Sequence, residues 1–401
     1  MPRLLQFPQF FVLMVLFAFL SVAAVIFTPA YPVLSLEFGL KEEQAQWMMT
    51  LFLLGSAFGR LPYGPLANRY GRKNTLFIGL IISLIGTLIV LASSSYFVLC
   101  FGRLIQALGC AVTTKIGFTM TADLHAGAVA TKILSYGMLA YAILPGISTG
   151  IAGSLTESFG WRGSFWFFLV FNICVILSCF CLPETAKKKD LHALKIKKIA
   201  AGYAAQFRDR NLLLWGSLMG LSTAILFIFS QQAPFVGIEI MGLTAEEYGW
   251  FYLIPSMGIA AGSLVTVYLA DKLSAKWGMF WGIVVIATAS LLMQYFFLGS
   301  WISGWALFLP QVAIQLGDAL LYNNASSIAV SEAKDKSNAS SILLFINSCW
   351  GFLGTFLVGM FVPRAFLSLP IIFLLICILM LIFWLLVRGP CKKLNTPKEI
   401  F

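Results

Sequence analysis

Apolar runs of about 20 residues, each long enough to cross a hydrocarbon core of about 30 Å, recur along the whole chain. A backbone in lipid has no water to bond, so such runs form helices that satisfy their own hydrogen bonds. The sequence therefore predicts an all-α polytopic membrane protein with twelve transmembrane helices. The predicted spans are 9–35, 46–67, 75–93, 96–121, 132–155, 162–182, 211–236, 248–270, 277–298, 303–330, 339–361 and 365–388.

The composition agrees with a bilayer as the main solvent. Only 11% of the 401 residues are charged, whereas a soluble domain carries about 25%. The first span could be read as a secretory signal, but its apolar run exceeds the roughly 7–15 residues of a signal's core. Because eleven further spans follow it, we expect a retained first helix.

The net charge of +11 follows the predicted loops. With the amino terminus inside, most Lys and Arg residues fall in cytoplasmic segments, including the basic linker. The outside loops hold acidic residues instead: Glu37, Glu42, Glu43, Glu157, Glu239, Glu246 and Glu247. The positive-inside rule predicts that both termini are cytoplasmic, in a cell inner membrane. The charge orients the protein in the bilayer, and we expect no nucleic-acid partner.

Residues of the kinds that bind metals or perform catalysis are sparse. The chain has two histidines, His125 and His192, and its 8 cysteines are scattered, mostly inside helices. A metal site needs several such ligands close together. The sequence therefore predicts no metal, no cofactor and no enzymatic activity. A non-transporting receptor is a rival interpretation, but no sizeable extramembrane domain supports it.

The two halves of the chain resemble each other when one is shifted by 203 residues. The shift aligns Gly55 with Gly258, Gly59 with Gly262 and Trp47 with Trp250. Glycines one turn apart allow close helix packing, and repeated halves around a cavity are typical of alternating-access transporters. We predict a six-helix bundle over 1–183, a cytoplasmic linker with an amphipathic helix over 184–210, a second six-helix bundle over 211–390 and a cytoplasmic tail over 391–401.

Several motifs resemble the major facilitator superfamily. "GPLANRYGRK" at 64–73 is similar to the signature between its second and third helices, and "FGRLIQALGCA" at 101–111 is similar to the signature of its fourth helix. "WRGSFWFF" at 161–168, "LPET" at 182–185 and "APFVGIEIMGLTAEEYGWFY" at 233–252 resemble the bicyclomycin and chloramphenicol resistance (Bcr/CflA) branch. The resemblance implies a monomer in two six-helix bundles that exports small organic solutes in exchange for protons.

Three positions depart from that branch. Asn68 replaces the acid of the first signature, and Val25 stands where the first helix usually carries an acid. In the fifth span, Ser148 and Thr149 stand where Gly-Pro belongs, although Pro145 is kept. The missing acid at Val25 and the altered fifth span favour an alternative function, a permease that imports a specific polar metabolite or siderophore-like ligand.

Charged side chains inside the spans are functional candidates, since each costs at least about 2.5 kcal/mol in the bilayer. Arg103 either donates hydrogen bonds between helices or contacts the substrate or a proton relay, together with Gln106 one turn away. Asp318 is the only carboxylate well inside a span and is the candidate proton carrier. The repeat places Lys115 at an equivalent depth, so Lys115 either attracts Asp318 across the two halves or extends to the cytoplasm.

Asp318 belongs to a polar stripe on the tenth span. The spacing of Gln311, Gln315, Asp318 and Tyr322 aligns them on one helical face. Such a stripe normally faces a water-filled cavity. Further substrate-binding candidates are Tyr31, Gln231, Gln232 and Asn347. The predicted gating residues are Gly64, Asn68, Arg69, Gly71, Arg72, Pro145 and Asp271.

Overall fold

The structure, a computed structural model, describes residues 7–124, 127–186, 189–190, 193–270, 272–301, 303–332, 336–361 and 367–387. The predicted all-α fold class is confirmed. The α-helices are α1 (Phe7–Val25), α2 (Tyr31–Phe38), α3 (Glu42–Tyr70), α4 (Arg72–Leu91), α5 (Tyr96–Leu124), α6 (Gly127–Phe159), α7 (Trp161–Ser178), α8 (Ile196–Phe207), α9 (Arg210–Pro234), α10 (Ala245–Phe251), α11 (Leu253–Leu269), α12 (Ala275–Leu298), α13 (Gly304–Glu332), α14 (Lys336–Phe361) and α15 (Ser368–Leu386).

Eleven of the twelve predicted spans are helical segments long and apolar enough to cross a membrane. The first combines α1 and α2, which a short 3₁₀ turn at Thr28–Ala30 joins, and the eighth combines α10 and α11. The seventh is α9 followed by a π-helical segment, Phe235–Ile240. The segment begins after Pro234, whose missing N–H removes one regular helical hydrogen bond.

The second predicted span is α3, a continuous helix of 29 residues that is too polar to qualify as a span by hydropathy. Its polar side chains explain the difference. Gln46, Thr50, Ser56 and Arg60 all hydrogen-bond to groups in the second half of the chain. Since α3 lies against other protein along this face, it does not need lipid-facing residues there.

Each half packs in the same way. The first bundle (α1–α7) packs α3 against α5, and the second bundle (α9–α15) packs α11 against α13. A Cβ on Gly59 would lie only 2.7 Å from the carbonyl oxygen of Leu108, and one on Gly262 would crowd Leu316 in the same manner. These glycines let the paired backbones approach closely, and they are the positions that the 203-residue repeat aligned.

The two ends of the bundles differ in charge. The acidic end carries the segments 37–43, 157–162 and 239–247, and the basic end carries 68–73, 180–186, 193–210 and 272–276. At the acidic end, Arg162 forms a salt bridge of 3.1 Å with Glu37. The structure contains no bilayer, and the predicted cytoplasmic side of both termini stays a prediction.

The basic linker contains α8, which lies against both bundles. The hydroxyl of Tyr203 donates to the carbonyl oxygen of Leu61 in α3 at 2.8 Å. The ring of Phe207 packs edge-on against Phe345 in α14, with ring centres 6.2 Å apart. The predicted helix of the linker therefore packs on protein at the junction of α3 and α14, in addition to any contact with the inner leaflet.

Candidate functional site

Two seams join the bundles, and they differ in length. The seam between α3 and α14 is continuous: Thr50 bonds Thr355 near the acidic end, and Ser56 approaches Ser348 at 3.5 Å near the middle. Further toward the basic end, a Cβ on Gly64 would lie 3.8 Å from the hydroxyl of Ser341. The two helices therefore stay together along their whole length.

The seam between α6 and α10–α11 joins the bundles near the acidic end. The Ser154 hydroxyl donates to Glu246 at 2.9 Å, and the backbone N–H of Ala245 donates to Glu157 at 3.1 Å. Gly146 lies against Leu253 and Ser256. In the described part of the chain, the α6 residues that make hydrogen bonds or close glycine contacts across this seam lie between 146 and 157. Both seams are thus joined at the acidic end.

Polar groups of both bundles meet at the middle of the seams, and we call this set the central cluster. Its members are Arg60 in α3, Tyr141 in α6, Ser222 in α9, Asp318 and Tyr322 in α13, and Asn347 in α14. The amide of Asn347 donates to the Tyr322 hydroxyl at 3.2 Å. Tyr141 and Tyr322 each lie within electrostatic range of both Arg60 and Asp318. The cluster therefore holds one cation and one carboxyl group, and a phenol from each bundle lies near both.

Asp318 is buried in this cluster, with only 7% of its surface exposed. Ser222 is its neighbouring hydroxyl, yet neither Ser222 Oγ nor Asp318 Oδ1 has a hydrogen-bond partner in the described structure. Gln311 and Gln315 of the predicted stripe are also buried, and each has at least one side-chain atom without a partner. The stripe therefore points into the protein and not toward lipid.

Lys115 is placed away from Asp318. Its ammonium group donates to Ser340 Oγ of α14 at 3.2 Å, toward the basic end of the long seam. The salt bridges that the described residues form do not include a pair of Lys115 and Asp318. Of the two alternatives for Lys115, the structure favours extension toward the basic end. The side chain reaches that end because its four methylene groups span about one helical turn.

Arg103 and Gln106 lie inside the first bundle, away from the central cluster. The guanidinium carbon of Arg103 is 3.8 Å from the ring centre of Phe27 and 4.2 Å from that of Phe52. Its Nη1 donates to the carbonyl oxygen of Ala23 at 3.1 Å and to Gln106 Oε1, and the Gln106 amide donates in turn to Thr87 at 2.8 Å. Aromatic faces and two neutral acceptors of one bundle thus offset the charge, while Nε and Nη2 have no hydrogen-bond partner among the described residues.

Three other predicted binding residues lie between the bundles at the acidic end. Tyr31 stacks on Phe235 of the second bundle, with ring centres 5.9 Å apart. Gln231 donates to the backbone oxygens of Gln46 and Thr355, and Gln232 donates to the Gln46 side chain, each at 3.3 Å. These residues therefore close the acidic end of the long seam, a placement that suits gating as well as binding.

The predicted gating residues of the signature form a network at the basic end. Arg72 makes a salt bridge of 3.1 Å with Asp123, and its Nη1 donates to Asn68 Oδ1 at 3.2 Å. Gly71 has a positive φ of 100°, a conformation that favours glycine. The carboxylate of Glu184 lies against this turn and accepts the backbone N–H groups of Arg72 and Lys73, at 2.9 and 3.2 Å.

Among the described residues, the side-chain contacts of this network join α3, α4, α5 and the segment that follows α7. Partial burial alone would raise the pKa of Glu184, but backbone N–H groups of Ala186, Arg72, Lys73 and Thr185 donate to its carboxylate and hold that pKa below its ordinary value. Arg69 lies over the ring of Tyr70, 5.7 Å from its centre. Pro145 accepts from Ser148 and Thr149 one turn later in α6, and Asp271 lies outside the described residues.

Sequence reasoning missed Arg60, Tyr141 and Ser222. A signal existed for Arg60, because a charge in the middle of a span is a functional candidate by itself. Tyr141 and Ser222 carried no such signal, since tyrosine and serine occur on many helix faces. Only the meeting of α6, α9 and α13 at the seams brings them to Asp318.

Comparisons with known proteins agree with this architecture. The model of the Major Facilitator Superfamily matches residues 11–357 and 238–400. A bicyclomycin resistance protein homolog of Haemophilus influenzae is 24% identical, over 69% of this chain and 67% of its own. Multidrug resistance protein D of Escherichia coli is 24% identical, over 79% of both chains. The crystal structure of a D-xylose-proton symporter has a TM-score of 0.77 and 15% identity, over 97% of this chain and 99% of that one.

Proposed function

This chain belongs to the Major Facilitator Superfamily and is a multi-pass secondary transporter, and we propose that it exports small organic solutes in exchange for protons. The central cluster carries the proposal, because it gathers charged and polar groups of both bundles at one depth. Relatives named for bicyclomycin resistance and multidrug resistance support export as the direction. Intramembrane charges facing such a site are typical of solute and proton pathways.

Asp318 is the proposed proton carrier. It is buried, and one carboxylate oxygen has no partner among the described residues. A carboxyl group in this position can hold a proton when solute is absent and release it when the surroundings change. Arg60, in the first bundle, supplies a positive charge that stays protonated over the physiological pH range.

Alternating access requires the space between the bundles to open toward each end in turn. In this structure both seams are joined at the acidic end, whereas toward the basic end the described contacts join only the seam between the first bundle and α14. We infer that this conformation opens toward the basic end, which the positive-inside rule assigns to the cytoplasm. Cysteines placed at Ser158 and Lys189 test the sidedness: a membrane-impermeant maleimide added to intact cells should label only the first. Labelling of the second alone would invert the assigned topology.

The test of the transport proposal uses purified protein in vesicles with an imposed pH gradient. Efflux of chloramphenicol, norfloxacin and ethidium is followed with and without the gradient. Asp318→Asn should abolish stimulation by the gradient, because the amide cannot carry the proton, while solute binding remains. The matched control is Asn324→Ala on the same helix, whose amide bonds only the carbonyl oxygen of Leu320 at 2.8 Å. Full stimulation in Asp318→Asn would remove this residue from the coupling step.

The import of a polar metabolite is the second candidate function. The presence of Arg60 and Asp318 near the same two tyrosines favours it, since a site for apolar drugs has little use for two opposite charges. The same vesicles distinguish import from export. A proton-driven importer moves solute in the same direction as the protons, whereas a proton-exchanging exporter moves solute in the opposite direction. Solute movement in the same direction as the protons would support import and contradict export.

A further inference from the structure

Arg60 lies within a membrane span, and no carboxylate of the described residues forms a salt bridge with it. Its Nη1 donates to the carbonyl oxygen of Leu344 at 2.7 Å, and its Nε has no hydrogen-bond partner. The salt bridges among the described residues are those of Arg72 with Asp123 and Arg162 with Glu37. A guanidinium carries five N–H donors, so one carbonyl oxygen leaves most of its binding capacity unused.

The surroundings of Arg60 differ from those that stabilise Arg103. The ring centres of two aromatic side chains lie 3.8 and 4.2 Å from the guanidinium carbon of Arg103, and these rings offset its charge inside one bundle. No ring lies over Arg60 among the cation–π contacts of the described residues, which involve Arg69, Arg103, Arg162, Lys272 and Lys276. An uncompensated charge at the boundary between moving bundles is costly unless a ligand supplies the opposite charge.

Two phenol groups lie near the same position. The hydroxyl groups of Tyr141 and Tyr322 lie within electrostatic range of Arg60, one from each bundle. Asn347 holds the Tyr322 hydroxyl by donating to it, which leaves the phenolic hydrogen free to point at another acceptor. A guanidinium flanked by phenolic donors is a site for a planar oxyanion.

We propose that the central cluster binds solutes that carry a single carboxylate, with Arg60 as the anchor for that group. This rests on the proposed transport function and names its substrate class. A phosphate monoester fits poorly, because it carries nearly two negative charges and the cluster offers one arginine beside the carboxyl group of Asp318. A solute that also has an amine places that amine toward Asp318, so zwitterions are accommodated at both poles of the cluster.

Three probes that share a naphthalene ring differ in charge: 2-naphthoate, its neutral isostere 2-naphthamide, and the cation 2-naphthyl-trimethylammonium. Each is added at millimolar concentration to the purified protein in detergent, and the midpoint of thermal unfolding is measured. Naphthoate should raise the midpoint with saturation, since a ligand that binds only the folded state stabilises it. The amide and the ammonium compound should leave it nearly unchanged. An equal rise with the amide or the ammonium compound, or no rise with any of the three, overturns the proposal.

Variants tie the effect to Arg60. Arg60→Gln should weaken the apparent affinity for naphthoate at least about tenfold, as expected for lost charge-assisted hydrogen bonds, and Arg60→Lys should retain part of it. Arg162→Gln is the matched control, because that arginine lies at the acidic end in a salt bridge with Glu37. Undiminished affinity in a folded Arg60→Gln protein would also overturn the proposal.

The outcome for substrate class is separable from the outcome for transport. Gradient-driven efflux of chloramphenicol without any binding of naphthoate would uphold the transporter and reject the carboxylate site. Naphthoate binding that depends on Arg60, without gradient-driven flux of any probe, would uphold the site and reject proton-coupled export.

Discussion

Arg103 and Arg60 are both arginines within membrane spans, but their surroundings differ. Arg103 is fully buried inside one bundle, where Phe27 and Phe52 enclose it and Gln106 accepts from it. Arg60 lies at the seam, with one carbonyl oxygen of the other bundle as its acceptor. The two arginines therefore differ in what offsets their charge and not in hydrogen bonding, since Nε and Nη2 of Arg103 also have no partner among the described residues. Aromatic rings of one bundle offset the charge of Arg103, whereas no ring of the described residues lies over Arg60, which remains available to a ligand between the bundles.

The largest expected effect on stability belongs to Arg103→Leu. The carbonyl oxygen of Ala23 and the side-chain oxygen of Gln106 would both lose their donor inside the first bundle. Leaving such buried groups unpaired costs about 1–3 kcal/mol each. Urea or thermal unfolding in detergent should show the loss. Arg60→Gln is the comparison and should cost only about 0.5–1.5 kcal/mol, for one hydrogen bond; equal losses in the two variants would contradict the distinction.

A double-mutant cycle tests whether the aromatic faces offset the charge of Arg103. Phe52→Leu, Arg103→Leu and the double variant are compared by their free energies of unfolding. We expect a coupling energy of about 1–2 kcal/mol, the size of a desolvated cation–π interaction. Phe168→Leu with Arg103→Leu is the control pair, since Phe168 packs on Phe19 and Phe171 instead. A coupling as large in the control pair would mean that the effect is general packing.

The smallest effect is expected at the exposed carboxylate of Glu184, which stabilises the turn at Gly71. Its pKa is held below the ordinary value in the folded protein, so its contribution is present above the unfolded pKa of about 4.5. The contribution is lost as the pH falls through the folded pKa. Glu184→Gln should therefore lower the thermal midpoint slightly at pH 7, and the difference from the unmodified protein should shrink below about pH 4. A difference that is constant with pH would exclude the carboxylate as its cause.

The signature network and the central cluster also differ in the bundles that they join. Arg72, Asn68 and Asp123 bond to one another within the first bundle. In this conformation the network fixes the ends of its helices and makes no described link to the second bundle. Asn68 keeps a hydrogen bond where the related signature has an acid, and Asp123 and Glu184 supply the negative charge beside Arg72.

The sequence by itself determined the number of spans, their order and the repeat of the two halves. Length and hydropathy suffice for eleven of the spans, because lipid forces every spanning segment to bond internally; α3 is too polar to qualify by hydropathy. It also determined that Gln311, Gln315, Asp318 and Tyr322 share a face, since helical spacing is a local property. The glycines of the repeat were recognisable because close packing tolerates no side chain at those positions.

Only the tertiary structure decided which polar residues meet. Arg103, the candidate most evident from sequence, is enclosed within one bundle, and Lys115 bonds Ser340 toward the basic end. Arg60 and Tyr141 reach the neighbourhood of Asp318 because the seams bring α3, α6 and α13 together. Sequence spacing fixes the face of a residue on its own helix, whereas the partner across a seam depends on how the two bundles pack. That packing is a property of contacts between residues far apart in the chain.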